Sequence, residues 1–440
     1  MAEQALNPQF SRRALFRAGG YAAAGAALST LPFGRSLLAH DVSEAWPNVS
    51  AMAKKYVAER KVANMLLTFG WGQEDHAHTV GGGKLALAGG ADVDENSLYR
   101  IYSMTKPVTG MAIMMLIDEG KLGLDQPLYD IIPAFKDMQV LVDPKGAIDQ
   151  TVPAEKAITI RHLLTHTAGL DYVLADTSTP LLKAYAAKGV IGGQASKLPN
   201  PTIEGTPANG LETMINNLAS LPLRLQPGQT FHYSMSIDVL GRVIEVVSGQ
   251  TLEQFFKTRF FDPMGMTSTY FTVPKKDAAR LTTNYLVMGE ATIPIDPLGG
   301  SVYEERPPAF WGGSGLVSSP KDYDRFLRMV LGYGKLGKER IMGELAVRVG
   351  VSNLFPKGVN LKGTWMDGQG HGAGGRSVNG TYGWGGAAGT LGAVDFNLGL
   401  RTALWTQYMP SDVYSIRDEY LAAMEKDLAE MRAAKAKKAA

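Results

Sequence analysis

Apolar positions along this chain recur at helical spacing through its middle and form short strand-like runs toward both ends. "AWPNVSAMAKKYVAERKVANMLLTFGWG" predicts a helix over residues 49–59 and then an apolar strand over 64–70. "HTVGGGKLALAGG" and "NSLYRIYS" add strand-like segments with Gly-rich turns between them. Behind Ser103, Met111, Met114, Met115 and Ile117 follow helical spacing, and Gly120 stands where a left-handed cap would end that helix. In the middle, "ITIRHLLTHTAGL" (158–170) and "LETMINNLASL" (211–221) read as helices. "SIDVLGRVIEVVSGQTLEQFFKTRFF" reads as two more, broken at Ser248 and Gly249. "GGQASKLPNPTIEGTPANG" and the Pro-rich residues 293–310 read as exposed loops, and "KDYDRFLRMVLGYG" as a helix. After residue 368 the pattern predicts three strands with Gly-rich turns, an amphipathic helix over 412–432 and a frayed "AAKAKKAA" tail.

Strands at both ends with helices between them imply an α+β protein whose single sheet draws on both ends of the chain. The expected organisation is one catalytic domain over 40–440, with a sheet lobe of 45–135 and 311–432 and a mostly helical lobe of 136–310. The chain has 440 residues, enough for a sizeable core, with 45% apolar and 20% charged residues. A formal net charge of +2 argues against a nucleic-acid partner. No apolar run reaches the roughly 18 residues of a membrane span. With no cysteine, disulfides, cysteine–zinc sites and thiol nucleophiles are excluded. "SRRALFRAGGYAAAGAALSTLPFGRSLLAHD" places Arg12 and Arg13 before a mild Ala/Gly-rich stretch and a small-residue cleavage point at Ala39. This resembles a twin-arginine export signal over 1–39, which implies a periplasmic or otherwise exported protein beginning near His40.

Two Ser-x-x-Lys pairs offer candidate chemistry, Ser103 with Lys106 and Ser318 with Lys321. Positions i and i+3 of a helix share a surface, and a serine at a helix N-terminus has free N–H groups beside it. By spacing alone Ser103 is either a nucleophile with its base or an N-cap followed by a solvated lysine. At the second pair, Ser319 reads as an N-cap, Pro320 as the first helical residue and Asp322 as a complement to the helix dipole.

The choice between them comes from five motifs in order: "YSMTKPVTG", "ITIRHLLTHTAGL", "FHYSMSIDVLGRVIEVVSG", "GGSGLVSSPKDYDRF" and "YGWGGAAGT". Their succession resembles serine β-lactamase-like hydrolases, most of all the family VIII carboxylesterases related to class C β-lactamases, over residues 49–410. The resemblance implies the β-lactamase/transpeptidase-like fold, an antiparallel sheet flanked by helices with the site between sheet and helical lobe. It implies Ser103 as nucleophile, with Lys106 and Tyr233 sharing its proton. It implies an oxyanion hole from the backbone N–H groups of Ser103 and Ala387. Met235 stands where class C enzymes carry a substrate-binding asparagine, and it cannot donate a hydrogen bond to an amide. Trp384, Gly385 and Gly386 stand where penicillin-recognising relatives carry Lys-Thr-Gly. Tryptophan offers an apolar wall and one N–H donor but no charge for a carboxylate.

Competing signals read as structural. "GGSGL" lacks the last glycine of a nucleophile elbow. The Gly370, Gly372, Gly375 pattern precedes a strand rather than a helix, unlike a dinucleotide fold. His162 and His166, spaced i, i+4 on a predicted helix, lack the glutamate of a zinc-protease motif, and Asp75, His76 and His78 read as a solvated turn. The expected function is a cofactor-independent and metal-independent serine hydrolase of small carboxylic esters. The alternatives are an amide hydrolase of the same superfamily, a transacylase or an inactive binding protein.

Overall fold

The computed structural model describes residues 45–173, 177–198 and 203–439, and the twin-arginine segment lies outside them. Three strands come from the N-terminal side, β1 (Asn64–Trp71), β2 (His78–Ala86) and β3 (Gly89–Asp92). Five come from the C-terminal side, β4 (Gly370–His371), β5 (Arg376–Val378), β6 (Thr381–Gly385), β7 (Leu391–Asp395) and β8 (Leu400–Trp405). They form one antiparallel sheet in the order β4-β5-β6-β7-β8-β1-β2-β3, closed in the middle by β1 against β8, with Leu66 opposite Trp405. The sheet therefore does join both ends of the chain. Five C-terminal strands replace the three expected because β4 and β5 span only two and three residues, too few for an alternating pattern to register.

The helices that shape the molecule are α1 (Pro47–Ala58), α2 (Thr105–Asp118), α3 (Ile160–Leu164), α4 (Leu211–Ala219), α5 (Ser236–Ser248), α6 (Pro320–Leu331) and α7 (Ile416–Ala439). On one side of the sheet, α1 and α7 bury Val49, Tyr56, Ile416, Tyr420 and Leu428 with Phe69 of β1 and Leu404 of β8. Trp46 stacks on Phe69 with ring centroids 3.7 Å apart. Trp46 cannot cap α1 with its own side chain, so buried Asp427 of α7 accepts from Asn48 N at 2.9 Å and Val49 N at 3.0 Å. On the other side lies the larger core, where α2 is buried on nearly every face from Thr105 to Leu116 and packs against α5.

Four expectations change. The helix expected over 158–170 stops at Leu164: Thr159 caps its start, and His166 adopts φ +54°, so His162 and His166 do not share a helical face. Residues 293–310 are not one exposed loop: Ala291–Asp296 pairs with Asn284–Met288, and Asp296 and Tyr303 are buried. The middle of the chain also holds the hairpin of Gln139–Leu141 with Thr151–Pro153. Finally, α7 starts after 412 and continues through the Ala/Lys tail, both residue types being strong helix formers. The break at Ser248 and Gly249 is where it was expected, with Gly249 left-handed at φ 69° and Thr251 capping the next helix.

Asp296 is drawn inward by Arg100, and both side chains are fully buried. Arg100 Nε donates to Asp296, Nη1 to the Thr282 carbonyl and Nη2 to Ser301 Oγ, while Gln407 Oε1 accepts from Arg100 N at 3.1 Å. These bonds anchor the Tyr99–Arg100 strand just before Ser103. Removing one member strands a buried charge. Asp296→Ala is therefore expected to lower unfolding free energy by about 3–5 kcal/mol in urea titration, and a loss below about 1 kcal/mol would mean that the pair is solvated.

Candidate active site

Ser103 lies in a tight turn, Tyr102–Met104, between the anchored strand and α2. Tyr102 takes φ +41°, an uncommon value for a bulky residue, and its hydroxyl accepts from Asn284 Nδ2 at 3.1 Å. One turn into α2, Lys106 points back toward Ser103. Its Nζ donates to Ser103 Oγ at 3.2 Å and to the Gly313 carbonyl at 2.7 Å, and the side chain is 0% exposed. Tyr233 arrives from the segment leading into α5, and its hydroxyl lies 2.8 Å from Ser103 Oγ. Ser103 and Tyr233 are both half-buried. Lys106 Nζ also stands 4.7 Å from the Tyr233 ring centre and 5.4 Å from that of Tyr172, within cation–π range. The amine and the phenol thus converge on Ser103 Oγ.

The end of β6 closes against this turn. A Cβ at Gly386 would overlap the Ile101 carbonyl and Thr390 Oγ1, so glycine permits the close approach. Ala387 follows, half-buried, beside buried Ala388. Trp384 stacks near Tyr233 at 5.9 Å, and Trp365 stands 5.6 Å from Trp384, so the two indoles and the phenol make one aromatic wall. Met235 corrects the sequence reading. It precedes α5 with 0% exposure inside the core and offers no surface to a substrate.

The second Ser-x-x-Lys pair is structural. Ser319 Oγ accepts from Asp322 N at 3.2 Å at the start of α6, buried Ser318 meets Thr269, and Lys321 pairs with Glu95. His162 completes a capping box with Thr159, and Asp75 pairs with Arg328.

Several residues at the site were missed. Arg417, in the first turn of α7, donates from Nη2 to the carbonyls of Gly386 at 2.6 Å and Thr390 at 3.1 Å, clamping the loop that carries Ala387. Nothing in a polar helix start signals this. Gly313 sits in "GGSGL", dismissed as a failed elbow. His166 lies 4.7 Å from Tyr233 and 5.6 Å from His371, which is 5.3 Å from Trp384. Burial, reinforced by nearby charge that includes Lys106, holds His166 well below the usual imidazole range. For His371, burial, with Lys106 adding to it, lowers the pKa to about 4. The two histidines beside Tyr233 and Trp384 are therefore neutral members of the aromatic surround.

The Beta-lactamase family profile matches residues 49–424. The chain belongs to the β-lactamase family of serine hydrolases. It is 37% identical over 261 residues to an uncharacterized Mycobacterium tuberculosis protein, covering 59% of this chain and 60% of that one. It is 31% identical over 238 residues to the lovastatin esterase of Penicillium rubens, covering 52% and 54%. The matches thus span between half and two thirds of those relatives. Among solved structures, EstCE1, described as a hydrolase with promiscuous acyltransferase activity, superposes with a TM-score of 0.69 at 23% identity, over 87% of this chain and 99% of that one. This likeness shows the shared fold.

The neutral histidines give a signed pH effect. The unfolded chain protonates His371 near the ordinary value of about 6.5, whereas the folded protein resists until about 4. The stabilisation is complete above the first value and is lost as pH falls toward the second. His371→Gln is expected to reduce the acid loss of stability by roughly 2–3 kcal/mol between neutral and acid urea titrations. An unchanged acid loss would show that His371 charges freely in the fold.

Proposed function

We propose that this protein is a serine esterase that forms an acyl-enzyme on Ser103. The observation that carries the reading is the convergence of Tyr233 hydroxyl at 2.8 Å and Lys106 Nζ at 3.2 Å on one serine oxygen. Ser103 Oγ attacks the ester carbonyl while its proton passes into the Lys106–Tyr233 pair. The N–H groups of Ser103 and Ala387 receive the developing oxyanion, on a loop held by Arg417. The carbon–oxygen bond to the alcohol breaks, and the alcohol leaves with the proton from Tyr233. Water, deprotonated by the same pair, then releases the carboxylic acid. All of these groups belong to the chain itself, and the reading places the enzyme among the carboxylic ester hydrolases (EC 3.1.1).

The third-motif position sets the substrate class. Trp384 presents an indole face where a lysine would draw a carboxylate, which favours a small neutral ester with an apolar acyl group. The match to lovastatin esterase agrees with ester chemistry. Likeness to a fold whose member EstCE1 shows acyltransferase activity makes an alcohol acceptor a second reading, with the same acyl-enzyme and a different deacylating nucleophile. Export through the twin-arginine route remains part of the proposal on the strength of Arg12 and Arg13.

A short-chain p-nitrophenyl ester, a chromogenic cephalosporin and a D-amino-acid amide discriminate the classes. Ester turnover abolished in Ser103→Ala is the expected result. Preferential cephalosporin or amide turnover would transfer the assignment to amide hydrolysis, and no turnover of any would favour a binding protein. Trp384→Lys is expected to shift relative kcat/KM toward esters of anionic acids by about tenfold, the effect of about 1.4 kcal/mol of added charge attraction. Identical preferences in both proteins would remove Trp384 from specificity.

A further inference from the structure

Asp238 lies in the first turn of α5, five residues after Tyr233, and is 0% exposed. Its Oδ1 accepts from the Gly313 N–H at 2.8 Å. Its Oδ2 has no hydrogen-bond partner among the described residues. An ionised carboxylate can accept about four hydrogen bonds, so this one is poorly satisfied for a buried charge. An apolar residue at this position of a core helix would avoid that desolvation penalty.

Gly313 connects the carboxylate to the nucleophile. Its N–H faces Asp238, and its own carbonyl accepts from Lys106 Nζ at 2.7 Å. A Cβ on Gly313 would stand 2.8 Å from Asp238 Oδ2 and 3.1 Å from Oδ1, so the absence of a side chain lets the carboxylate close on the backbone. The neighbouring Gly312 carbonyl is tied to Thr109 Oγ1 of α2 at 2.6 Å, which keeps this segment against the helix that carries Lys106.

Among the described residues, the titratable groups around the pair are few. From α2 comes Lys106. From the segment after α3 come Tyr172 and His166, and from the lead into α5 comes Tyr233. Burial, then Asp238 itself, pushes Tyr172 well above the usual phenol range, so it stays neutral. His166 is neutral for the reasons given above. With Tyr172 and His166 neutral, Lys106 and Asp238 face one another across Gly313 as the basic and acidic groups of this buried neighbourhood.

We infer that Asp238 is a positioning residue for the nucleophile, its carboxylate balancing Lys106 across Gly313 and holding the Gly313 carbonyl where it directs Lys106 onto Ser103. This rests on the proposed role of Ser103. Burial raises the Asp238 carboxyl to about 6, opposed by Lys106 and the Gly313 N–H, so its charge changes between mildly acid and neutral solution. Protonation leaves Lys106 without a counter-charge and slackens the hold on Gly313.

The test uses the full protein and a fluorophosphonate probe, which phosphonylates an activated serine with loss of fluoride whatever the natural substrate. In the wild type, the labelling rate of Ser103 is expected to rise through a single limb near pH 6. In Asp238→Asn, which keeps an oxygen for the Gly313 N–H, the limb is expected to vanish and the plateau to fall by about tenfold or more. The melting temperature supplies a second readout. The folded carboxyl holds its proton more tightly than the unfolded one, so wild type carries an ionisation penalty above about pH 6 that disappears toward the ordinary value of about 3.9. The melting temperature of D238N minus that of wild type is therefore expected to grow from pH 4 to pH 8. A carboxyl that titrates alike in the folded and unfolded chain would give the same difference at every pH.

Labelled Ser103 with the same limb in both proteins would overturn the role of Asp238 alone. Ser103 unlabelled in the wild type would overturn the proposed function and this inference together. If D238N does not fold, the wild-type profile decides: a flat rate between pH 5 and 7 overturns the inference, and a limb there upholds it.

Discussion

An amine carried at 0% exposure beside a half-buried serine must find its acceptors inside the protein. Lys106 finds two, Ser103 Oγ at 3.2 Å and the Gly313 carbonyl at 2.7 Å. The first requires the Tyr102–Met104 turn to sit directly before α2, so that serine and lysine share a face. The second requires residues 312–313 to lie along α2, where Thr109 takes the Gly312 carbonyl and Asp238 takes the Gly313 N–H. Three segments far apart in sequence are positioned by the needs of one buried amine. The α2–α5 contact, which forms much of the larger core, is also the contact that brings Tyr233 to Ser103.

The Tyr102–Met104 turn is held from the outside as well. Arg100 ties the strand before it to Asp296, Ser301 and the Thr282 carbonyl, and Tyr102 meets Asn284. The hairpin of Asn284–Met288 with Ala291–Asp296 supports the turn at two points on opposite strands. From the other direction the end of β6 presses on Ile101 through Gly386, with Arg417 gripping the loop beyond it. A positive φ at Tyr102 persists where its surroundings over-determine it, and here both flanks are fixed.

Much of this architecture was legible because long periodic segments announce themselves. The helices at α1, α2, α5 and α6 and the central strand β1 follow from apolar spacing, and Ser319 and Gly249 follow from cap chemistry. The convergence of Ser103, Lys106 and Tyr233 was legible only through ordered motifs, since the distance between residues 103 and 233 is a property of packing that no local pattern encodes. What failed did so for local reasons. The reading of 158–170 as one helix overlooked the left-handed turn at His166, which tertiary contacts with Tyr233 and His371 impose. Residues 293–310 looked exposed because proline and charge dominate them, yet Asp296 is buried by a partner almost two hundred positions away. Met235 was placed by motif position, and the backbone turn entering α5 aims it into the core.

Arg417 changes the electrostatic argument about substrate without reversing it. Reading Trp384 as the loss of a cation suggests a site empty of positive charge, but a guanidinium stands beside Gly385. Its Nη2 is occupied by the carbonyls of Gly386 and Thr390. Burial also holds the Arg417 pKa below the usual guanidinium range, the sign of a group poorly served by solvent. Turning it toward a substrate carboxylate would free those two carbonyls and loosen the loop that carries Ala387. Lys106 is committed in the same way, to Ser103 and Gly313. Lys106 and Arg417 therefore both serve the protein's own backbone and Ser103. On the proposed ester chemistry, an anionic substrate would engage either one only by dismantling part of the site, whereas a neutral ester would leave both in place beside the aromatic wall of Tyr233, Trp365 and Trp384.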